Sequence, residues 1–579
     1  MDDSLLEFTS AYKSQFKEKF HQNAEKYFTS LVEKSGIDVE ANKRTAAQYR
    51  DWQARANKYK QLSQNKKTLR TFLIVLSVLL ALAALICAFT IDTESSLFAL
   101  NIALAVAFLG GIVAIIVVIV KVISPAIKNV DSQEQEAAAK AATLLSQCKY
   151  QLAPLFDLCN NYCTFELIQQ TVPILKFDRN FNIKRHDYFR SKYGHDYKAA
   201  KDRSTVDVFS GEINGNPFFL QKEMDMRMGQ HTYYGSIVIS WTERVRDSKG
   251  NYHTVTRTQT LTASVTKPKP RYTYYTRLVF ATDAAPDLSF SRNPTDVEKM
   301  SEKQVQRFVK AEHKKIKKKA AKAVQQGGNF TEMGNTEFDA LFGAVNRDNE
   351  VQFRLLFTPL AQKNMINLIK DPDPYGDDFT FIKQKRVNII ASEHSQQFDY
   401  SVNINNYVSY DVDLCKKLFL NYNDAFFRSL YFEFAPLMSI PLYQQHKPTE
   451  YIYQHEYESH NTMYEAEVLA NNLDVSRLAH PNSKTQAILS AHLAEKREKE
   501  DIVEIAAYSF DAEDLVEIVP CLGGDGRLHS VPVHYLNYIP LTNQTLLSVS
   551  AIPAENDTKK DEYNGDSVIR HGLLAKILK

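Results

Sequence analysis

The chain of 579 residues is poor in the features that mark secretion. Its six cysteines are scattered, whereas a secreted disulfide scaffold would be shorter and denser in cysteine. The N-terminus, MDDSLLEFTSAYKSQFKEKF, is charged and lacks the apolar core of a cleavable signal peptide. The formal net charge of +2 implies no polyanionic partner by itself.

Motifs that carry chemistry are also scarce. Gly523-Gly524-Asp525-Gly526 does not lead into the Gly-Lys-Ser/Thr of a phosphate-binding loop, and there is no Gly-x-Ser-x-Gly nucleophile elbow. His455 and His460 are five residues apart, whereas a zinc-protease helix needs four. The neighbouring carboxylates Asp377-Asp378 and Glu513-Asp514 would diverge on a helix or a strand. We therefore predict no catalytic, cofactor-binding or metal-binding residue, and an enzyme is the less favoured class.

Two long apolar runs dominate what is present. Thr71–Ile91 and Leu97–Ile123 each reach the roughly 20 residues that a helix needs to cross a bilayer. Five polar residues separate them, so the two helices would form an antiparallel hairpin. The alternative is a pair of buried core helices in a soluble protein, which the charges at the ends of the runs disfavour.

These charges also predict an orientation. Lys66, Lys67 and Arg70 precede the first run, Lys121 and Lys128 lie at or after the end of the second, and the turn carries only acidic charges. By the positive-inside rule both termini are cytoplasmic, in a multi-pass membrane protein. Within the runs, Asn101, Gly110 and Gly111 are candidates for helix packing, inside the hairpin or between the subunits of a homo-oligomer.

Helical patterns flank the hairpin on both sides. Residues 1–69 predict two helices, with a stop at Gly36 and a second start near Val39, and residues 132–172 predict another that Pro154 kinks or divides. These helices leave the same membrane face, so we expect them to pair as a stalk. The alternative is an N-terminal helix lying on the bilayer, which its many acidic residues disfavour.

The rest of the chain predicts a mixed α+β region, mainly antiparallel. Asn214-Gly215 signals a hairpin, and a second hairpin has its turn near Asp247–Asn251. The segment 267–271 reads as a linker, Leu414–Phe434 as a buried helix and 482–507 as a charged helix. Strands are expected at 272–281, 341–345, 351–357, 379–382, 386–391, 398–410, 515–519, 531–536 and 545–549, and a short helix at 359–369.

This organisation predicts five regions and one fold class. The class is α+β, with an N-terminal transmembrane helical hairpin and helical stalk followed by a β-rich cytoplasmic region with helices. The regions are 1–70, N-terminal cytoplasmic helices; 71–123, the transmembrane hairpin; 124–173, the stalk; 174–442, an α+β domain; and 443–579, a C-terminal α+β region.

Residues 301–325 predict a basic helix with an apolar stripe that includes Val305 and Ile316. Three interpretations stay open for its cations: a solvated face, contact with anionic inner-leaflet lipid, or nucleic acid. Nucleic acid is the least favoured, because Phe308 is the only aromatic residue available for stacking, and we predict no such partner. The lysines that would contact anionic lipid are Lys310, Lys314, Lys315, Lys317, Lys318, Lys319 and Lys322.

One stretch resembles a known family. TEFDALFGAVNRDNEVQFRLLFTPLAQKNMINL has Phe338, Asp339 and Phe342, then Asp348 and Glu350, then the run Arg354–Pro359. With the upstream segment 207–215, it resembles an uncharacterised family of bacterial membrane proteins with two neighbouring spans and a large cytoplasmic domain of unknown function. The resemblance implies topology and location and adds no catalytic residue.

The leading hypothesis is an inner-membrane protein that presents a cytoplasmic binding or scaffolding domain at the bilayer. Its expected partners are the lipid bilayer and an unidentified protein, and no cofactor is expected. One alternative is a membrane-anchored hydrolase with a dispersed active site. The other is an oligomeric channel, although mid-membrane ionisable residues are lacking in the sequence of the two runs.

Overall fold

The computed structural model describes residues 7–89, 98–159, 162–246, 251–447, 461–552, 562–563, 566–570 and 572–578. The chain divides into two compact units. The first consists of Met1–Asn23, Tyr162–Val402 and Asn423–Lys579, and the second of Ala24–Asn161 and Asn403–Tyr422.

The N-terminal part of the described chain is helical, first in the first unit up to Asn23 and then in the second unit from Ala24. The N-terminal helices are α1 (Phe8–Ala11), a π-helical turn (Tyr12–Phe16) and α2 (Lys17–Ser35), of which α2 ends next to Gly36 at a positive φ of 62°. Helix α3 (Val39–Phe89) carries the first apolar run, α4 (Phe98–Val118) and a π-helical turn (Ile119–Ile123) carry the second, and α5 (Ser124–Asp157) follows it. The predicted stop at Gly36 and start at Val39 are confirmed. Pro154 lies inside α5, which ends one turn later at Asp157.

Helices α3 and α5 pack along their polar parts. Lys67 of α3 forms an ion pair of 3.1 Å with Asp131 of α5, and Ser63 also donates to that carboxylate. Near the other end, the Gln151 amide donates to Thr45 Oγ1 at 3.2 Å, and Lys140 lies 4.5 Å from the centre of the Trp52 ring. The two segments that border the apolar runs are therefore paired helices, as the stalk interpretation requires.

Two antiparallel sheets organise the first unit. One has the strand order β1-β2-β3-β4-β7-β6-β5 and the other β11-β12-β13-β10-β9-β8. The strands are β1 (Leu175–Phe177), β2 (Arg203–Ile213), β3 (Asn216–Arg246), β4 (Tyr252–Ala281), β5 (Ser289–Arg292), β6 (Phe379–Gln384), β7 (Val387–Ser392), β8 (Ile488–Lys496), β9 (Asp501–Leu522), β10 (Leu528–Ala551), β11 (Glu562–Tyr563), β12 (Ser567–Arg570) and β13 (Leu573–Ile577). With the helices between them, they confirm the α+β class.

The remaining helices lie between the strands in sequence. They are α6 (Cys163–Thr171), α7 (Ile183–Tyr193), α8 (Glu302–Gln325), α9 (Thr336–Phe342), α10 (Glu350–Leu356), α11 (Pro359–Lys370), α12 (Glu393–Gln397), α13 (Val412–Met438), α14 (Met463–Asn472) and α15 (Val475–Leu478). In the first unit, aromatic rings tie the N-terminal segment to α13: Phe8 stacks on Tyr431 at 4.0 Å and Phe20 on Phe427 at 4.2 Å.

The first hairpin turn is as the sequence predicts. Asn214 and Gly215 both have positive φ, 47° and 86°, and they connect β2 to β3 as a two-residue turn. Both central residues of a type I′ turn need positive φ, which is why Asn-Gly favours it.

The segment 267–271, predicted as a linker, lies inside β4, so that prediction is wrong. Pro268 pairs with Gln230 and Pro270 with Met228 in one continuous ladder that also includes the predicted strand 272–281. Because these prolines are two residues apart, their nitrogens point to the same edge of β4, away from β3. Strand β7 pairs with β4 only at 278–281, so no ladder partner at this point needs the missing N–H groups.

Two predicted strands and one predicted helix are also wrong. Residues 341–345 and 351–357 fall in or beside α9 and α10, whose first turns are capped by the side chains of Asn335 and Asn349. The predicted helix 482–507 consists of β8 and the start of β9, where residues 501–503 and 505–507 are all buried. A strand covered on both faces shows no alternation in its sequence. The predicted strand 398–410 is irregular, with a 3₁₀ turn at Ile404–Asn406.

The two longest hairpins pack face to face in the first unit. One layer is β3–β4 from Gly229 to Lys269 and the other is β9–β10 from Ala512 to Tyr538, and we call them the twin-hairpin sandwich. The apolar side chains between the layers are Ile237, Ile239, Trp241, Leu261, Ala263, Val265, Val519, Val531 and Val533. Gly235 allows the close approach, since a Cβ there would lie 2.0 Å from the Pro532 carbonyl oxygen.

Candidate functional site

The largest exposed apolar surface in the described part of the second unit lies on α3 and α4–α5. Phe72, Leu82 and Ile86 on α3 are 62%, 52% and 64% exposed, and Val106 and Val113 on α4 are 63% and 61% exposed. We call the exposed apolar side chains of residues 72–86 and 102–122 the apolar belt. Both helices are long and apolar enough to cross a membrane, and at most 6% of their most apolar windows is buried. A core helix of a soluble protein would be mostly buried.

The predicted helix-packing residues of the belt face different ways. A Cβ on Gly111 would lie 3.7 Å from Leu80 Cδ1, so Gly111 faces the other helix of the hairpin. A Cβ on Gly110 would have no neighbour within 4 Å. The side chain of Asn101 lies outside the described residues. The role of all three in packing stays a prediction.

All seven lysines of the predicted lipid contact are exposed on α8, but they form two groups. Lys310, Lys314, Lys317 and Lys318 lie on the face opposite the buried Val305 and Ile316, since a helix advances about 100° per residue. Lys322 lies at the edge of this group, as far from its centre as Lys317 on the other edge, and the second group, Lys315 and Lys319, lies to one side. Lys315 pairs with Glu312 at 2.6 Å, and Lys319 donates to the Val345 carbonyl oxygen.

The stretch that carries the family resemblance is a structural cluster. The buried Arg347 donates to Asp339 and to Glu350, both at 2.6 Å. Its guanidinium also lies 4.5 Å from the centre of the Phe353 ring. The rings of Phe290, Phe338, Phe342, Phe353 and Phe357 form one aromatic cluster around it. The acids and aromatics of this signature therefore hold α9 against α10.

A cleft of about 550 Å³ opens beside the first sheet. Its walls include Met224 and Tyr274 from β3 and β4, Val475 from α15, and His480 in the loop before β8. His480 is the one titratable imidazole, amine or carboxyl group in this lining. The cleft therefore offers space and apolar contacts, with no second such group to share acid–base chemistry.

A groove of about 590 Å³ carries more charge. It is lined by Lys13, Glu337, Lys370 and Asp371. Lys13 and Asp371 form an ion pair of 2.8 Å, and Lys370 and Glu337 one of 3.1 Å. Each carboxylate is thus engaged by an ammonium group, as at an ordinary ion-paired surface.

The neighbouring carboxylates Asp377 and Asp378 diverge, as predicted. Asp377 is buried and accepts from Arg292 at 2.6 Å and from Thr295 Oγ1 at 2.7 Å. Asp378 lies on the other side of the chain, 2.5 Å from His394 Nδ1.

His394 is the centre of a buried polar network that the sequence did not reveal. Its Nε2 lies 2.9 Å from the Ser429 carbonyl oxygen, and the Tyr375 ring stacks on the imidazole at 3.9 Å. Burial lowers the pKa of His394, but the hydrogen bond and charge of Asp378 outweigh it and raise the pKa above its ordinary value. Burial also raises the pKa of the nearby Glu433 to about 7. In the sequence, the only sign of this network is an Asp, Asp378, sixteen residues before His394, and such a spacing does not identify a hydrogen-bonded pair.

The remaining motifs supply no site. The Gly523–Gly526 turn connects β9 to β10, with the Gly523 N–H donating to the Arg527 carbonyl oxygen at 2.8 Å, so it is a hairpin turn and not a phosphate-binding loop. His455 and His460 lie outside the described residues. Burial raises the pKa of Cys415 to about 11, which keeps this thiol protonated near neutral pH.

Comparison with known proteins identifies no relative. No protein-family model, curated protein or solved structure matches the chain. The resemblance carried by Phe338 to Pro359 therefore stays a prediction.

Proposed function

We propose that this chain is an integral protein of a bacterial inner membrane and presents its α+β region at the cytoplasmic surface as a binding or scaffolding module. The observation that carries the proposal is the apolar belt. Leaving a large aliphatic side chain in water instead of an apolar medium costs about 1.5–3 kcal/mol, and the belt exposes more than a dozen such side chains. A bilayer covers them all at once.

The flanking charges support the orientation with both termini in the cytoplasm. Lys66, Lys67 and Arg70 lie just before the belt, and Lys128 just after it. Cations at this position favour the cytoplasmic side. Helix α3 continues from its charged part into the belt without a break, which makes a rigid connection between the bilayer and the paired helices below it.

The binding or scaffolding role rests on the surfaces of the first unit. The outer face of β9–β10 exposes Val516, Ile518, Leu522 and Leu528, all at least 48% exposed. Exposed apolar groups on one sheet face are typical of contact with a protein partner. The hydrolase and channel alternatives gain no comparable support from the two clefts or from the belt.

The test uses the full chain with a C-terminal tag. Membranes are washed with alkaline carbonate, and the protein should stay in the pellet and be released only by detergent. A reporter that is fluorescent only in the cytoplasm and one that is active only outside it are each fused after Lys579. We expect the cytoplasmic reporter to work. Release by carbonate would contradict membrane insertion, and activity of the external reporter would contradict the orientation.

A further inference from the structure

Helix α8 presents a continuous cationic face. It spans Glu302–Gln325 and begins with a capping box in which Ser301 and Gln304 bond reciprocally. Its buried contacts are Val305 and Ile316. On the opposite side, within an arc of about 100°, lie six exposed cations that extend over about 22 Å of the helix axis. They are Lys303, Arg307, Lys310, Lys314, Lys317 and Lys318, and we call them the cationic stripe.

The stripe holds positive charge without local neutralisation. The two acidic residues of α8, Glu302 and Glu312, lie outside its arc, and Glu312 is engaged by Lys315, which is also outside it. None of the six cations has an ion pair to another residue in the part of the chain that the structure describes. Like charges three or four residues apart on a helix repel by a few tenths of a kcal/mol per pair, so the stripe is an arrangement that an external anion would stabilise.

The shape of the stripe favours a flat anionic surface. A straight helix aligns its cations in one row, and Ala321 in the same arc leaves room for the long lysine stems to spread. The stripe itself contains no aromatic residue, and Phe308 of the same helix is half-buried, so base stacking has no platform there. Each cation near an anionic leaflet contributes about 1 kcal/mol, which gives six cations a substantial combined attraction.

We propose that the cationic stripe of α8 docks on the anionic lipid headgroups of the membrane that holds the apolar belt. The proposal rests on the proposed function, because the belt brings an anionic leaflet to this chain. It also divides the lysines predicted from the sequence: Lys310, Lys314, Lys317 and Lys318 touch lipid, whereas Lys315 and Lys319 do not.

The test is lysine footprinting of the full chain in lipid nanodiscs. Discs of neutral phosphatidylcholine are compared with discs that also contain anionic phosphatidylglycerol, and the acetylation rate of each lysine is measured by mass spectrometry. We expect acetylation of Lys310, Lys314, Lys317 and Lys318 to slow several-fold in anionic discs only. High salt should abolish the difference, because it screens exposed charges. Lys315 and Lys319 serve as internal controls.

Matched variants sharpen the test. Lys314→Glu with Lys318→Glu should abolish the protection of Lys310 and Lys317, whereas Lys315→Glu with Lys319→Glu, an equal change of charge, should leave it in place. Equal rates in both discs, or equal slowing of the control lysines, would overturn the proposal. So would protection by an added oligonucleotide in neutral discs without protection by anionic lipid. A chain that fails to enter the discs would overturn the proposed function as well, whereas one that enters with an unprotected stripe would overturn only this inference.

Discussion

At the scale of single residues, His394 couples the stability of the first unit to pH. Both of its ring nitrogens face pure acceptors, the Asp378 carboxylate and the Ser429 carbonyl, so the charged imidazolium satisfies both. Because the pKa of His394 is raised in the folded state, its stabilisation is complete below about pH 6.5 and is lost as pH rises through the folded value. The raised pKa of Glu433 acts in the same direction, since its ionisation between about 4.5 and about 7 disfavours the folded state.

We therefore expect the thermal unfolding midpoint of the purified protein to fall as pH rises from about 5.5 to about 8.5. The free energy of unfolding can fall by at most about 1.4 kcal/mol per pH unit for each proton by which the folded and unfolded states differ. His394→Gln should lower the midpoint at acidic pH and flatten the profile. His534→Gln, at a side chain 68% exposed, is the control and should change neither the midpoint at acidic pH nor the slope of the pH profile. An unchanged profile in His394→Gln would contradict the assignment.

Arg347 supports a second prediction at this scale. Its guanidinium is fully buried and pairs with Asp339 and Glu350, so Arg347→Met would leave the buried Asp339 carboxylate without a cation and Glu350 with only Arg354, at 3.8 Å. Breaking such a buried pair costs about 3–5 kcal/mol. Arg354→Met, at a side chain 45% exposed, should cost less than about 1 kcal/mol. Chemical denaturation of the two variants measures the contrast, and equal losses would show that Arg347 does not organise the cluster.

At the scale of elements, the close approach of the two long hairpins depends on Gly235. Because a Cβ there would meet backbone, Gly235→Ala should force the layers apart and cost about 1–3 kcal/mol. Gly229 is the matched control on the same strand: its Cβ would meet only the flexible Arg271 side chain, so Gly229→Ala should be close to neutral. Hydrogen exchange of β10 amides reports the effect. Equal protection of the β10 amides in Gly235→Ala and Gly229→Ala would contradict the role of Gly235 in the close packing of the two layers.

The elements also show what the sequence could predict and why. Asn214-Gly215, Gly36 and the Val39 start were predictable because each depends on local backbone chemistry. Residues 341–357 were not, since short apolar runs fit a strand or a helix and only the caps at Asn335 and Asn349 decide between them. The His394 network brings together residues from three separate segments of the chain, 375–378, 394 and 429–433, so sequence spacing alone could not reveal it.

At the scale of the whole molecule, the most prominent feature is the exposed apolar surface of the two runs. Their side chains are exposed along both helices, and the sequence predicted this because length and composition alone are sufficient for a span. Helix α3 is one helix of 51 residues that continues from the paired helices into the first apolar run.

A charge placed in the middle of the belt tests whether lipid covers it. Leu82 and Leu109 are 52% and 56% exposed near the centres of the two runs, so Leu82→Lys with Leu109→Lys places both charges on the outer surface of the hairpin. If the belt is in a bilayer, each lysine costs about 2.5–3.5 kcal/mol of insertion free energy, and the carbonate-resistant fraction should fall sharply. Tyr150→Lys with Leu158→Lys, at exposed sites beyond the apolar run, adds the same charge and should leave that fraction unchanged. If the belt were instead covered by water or by protein, the two double variants would behave alike in carbonate extraction, because only hydrocarbon makes the position of the charge decisive.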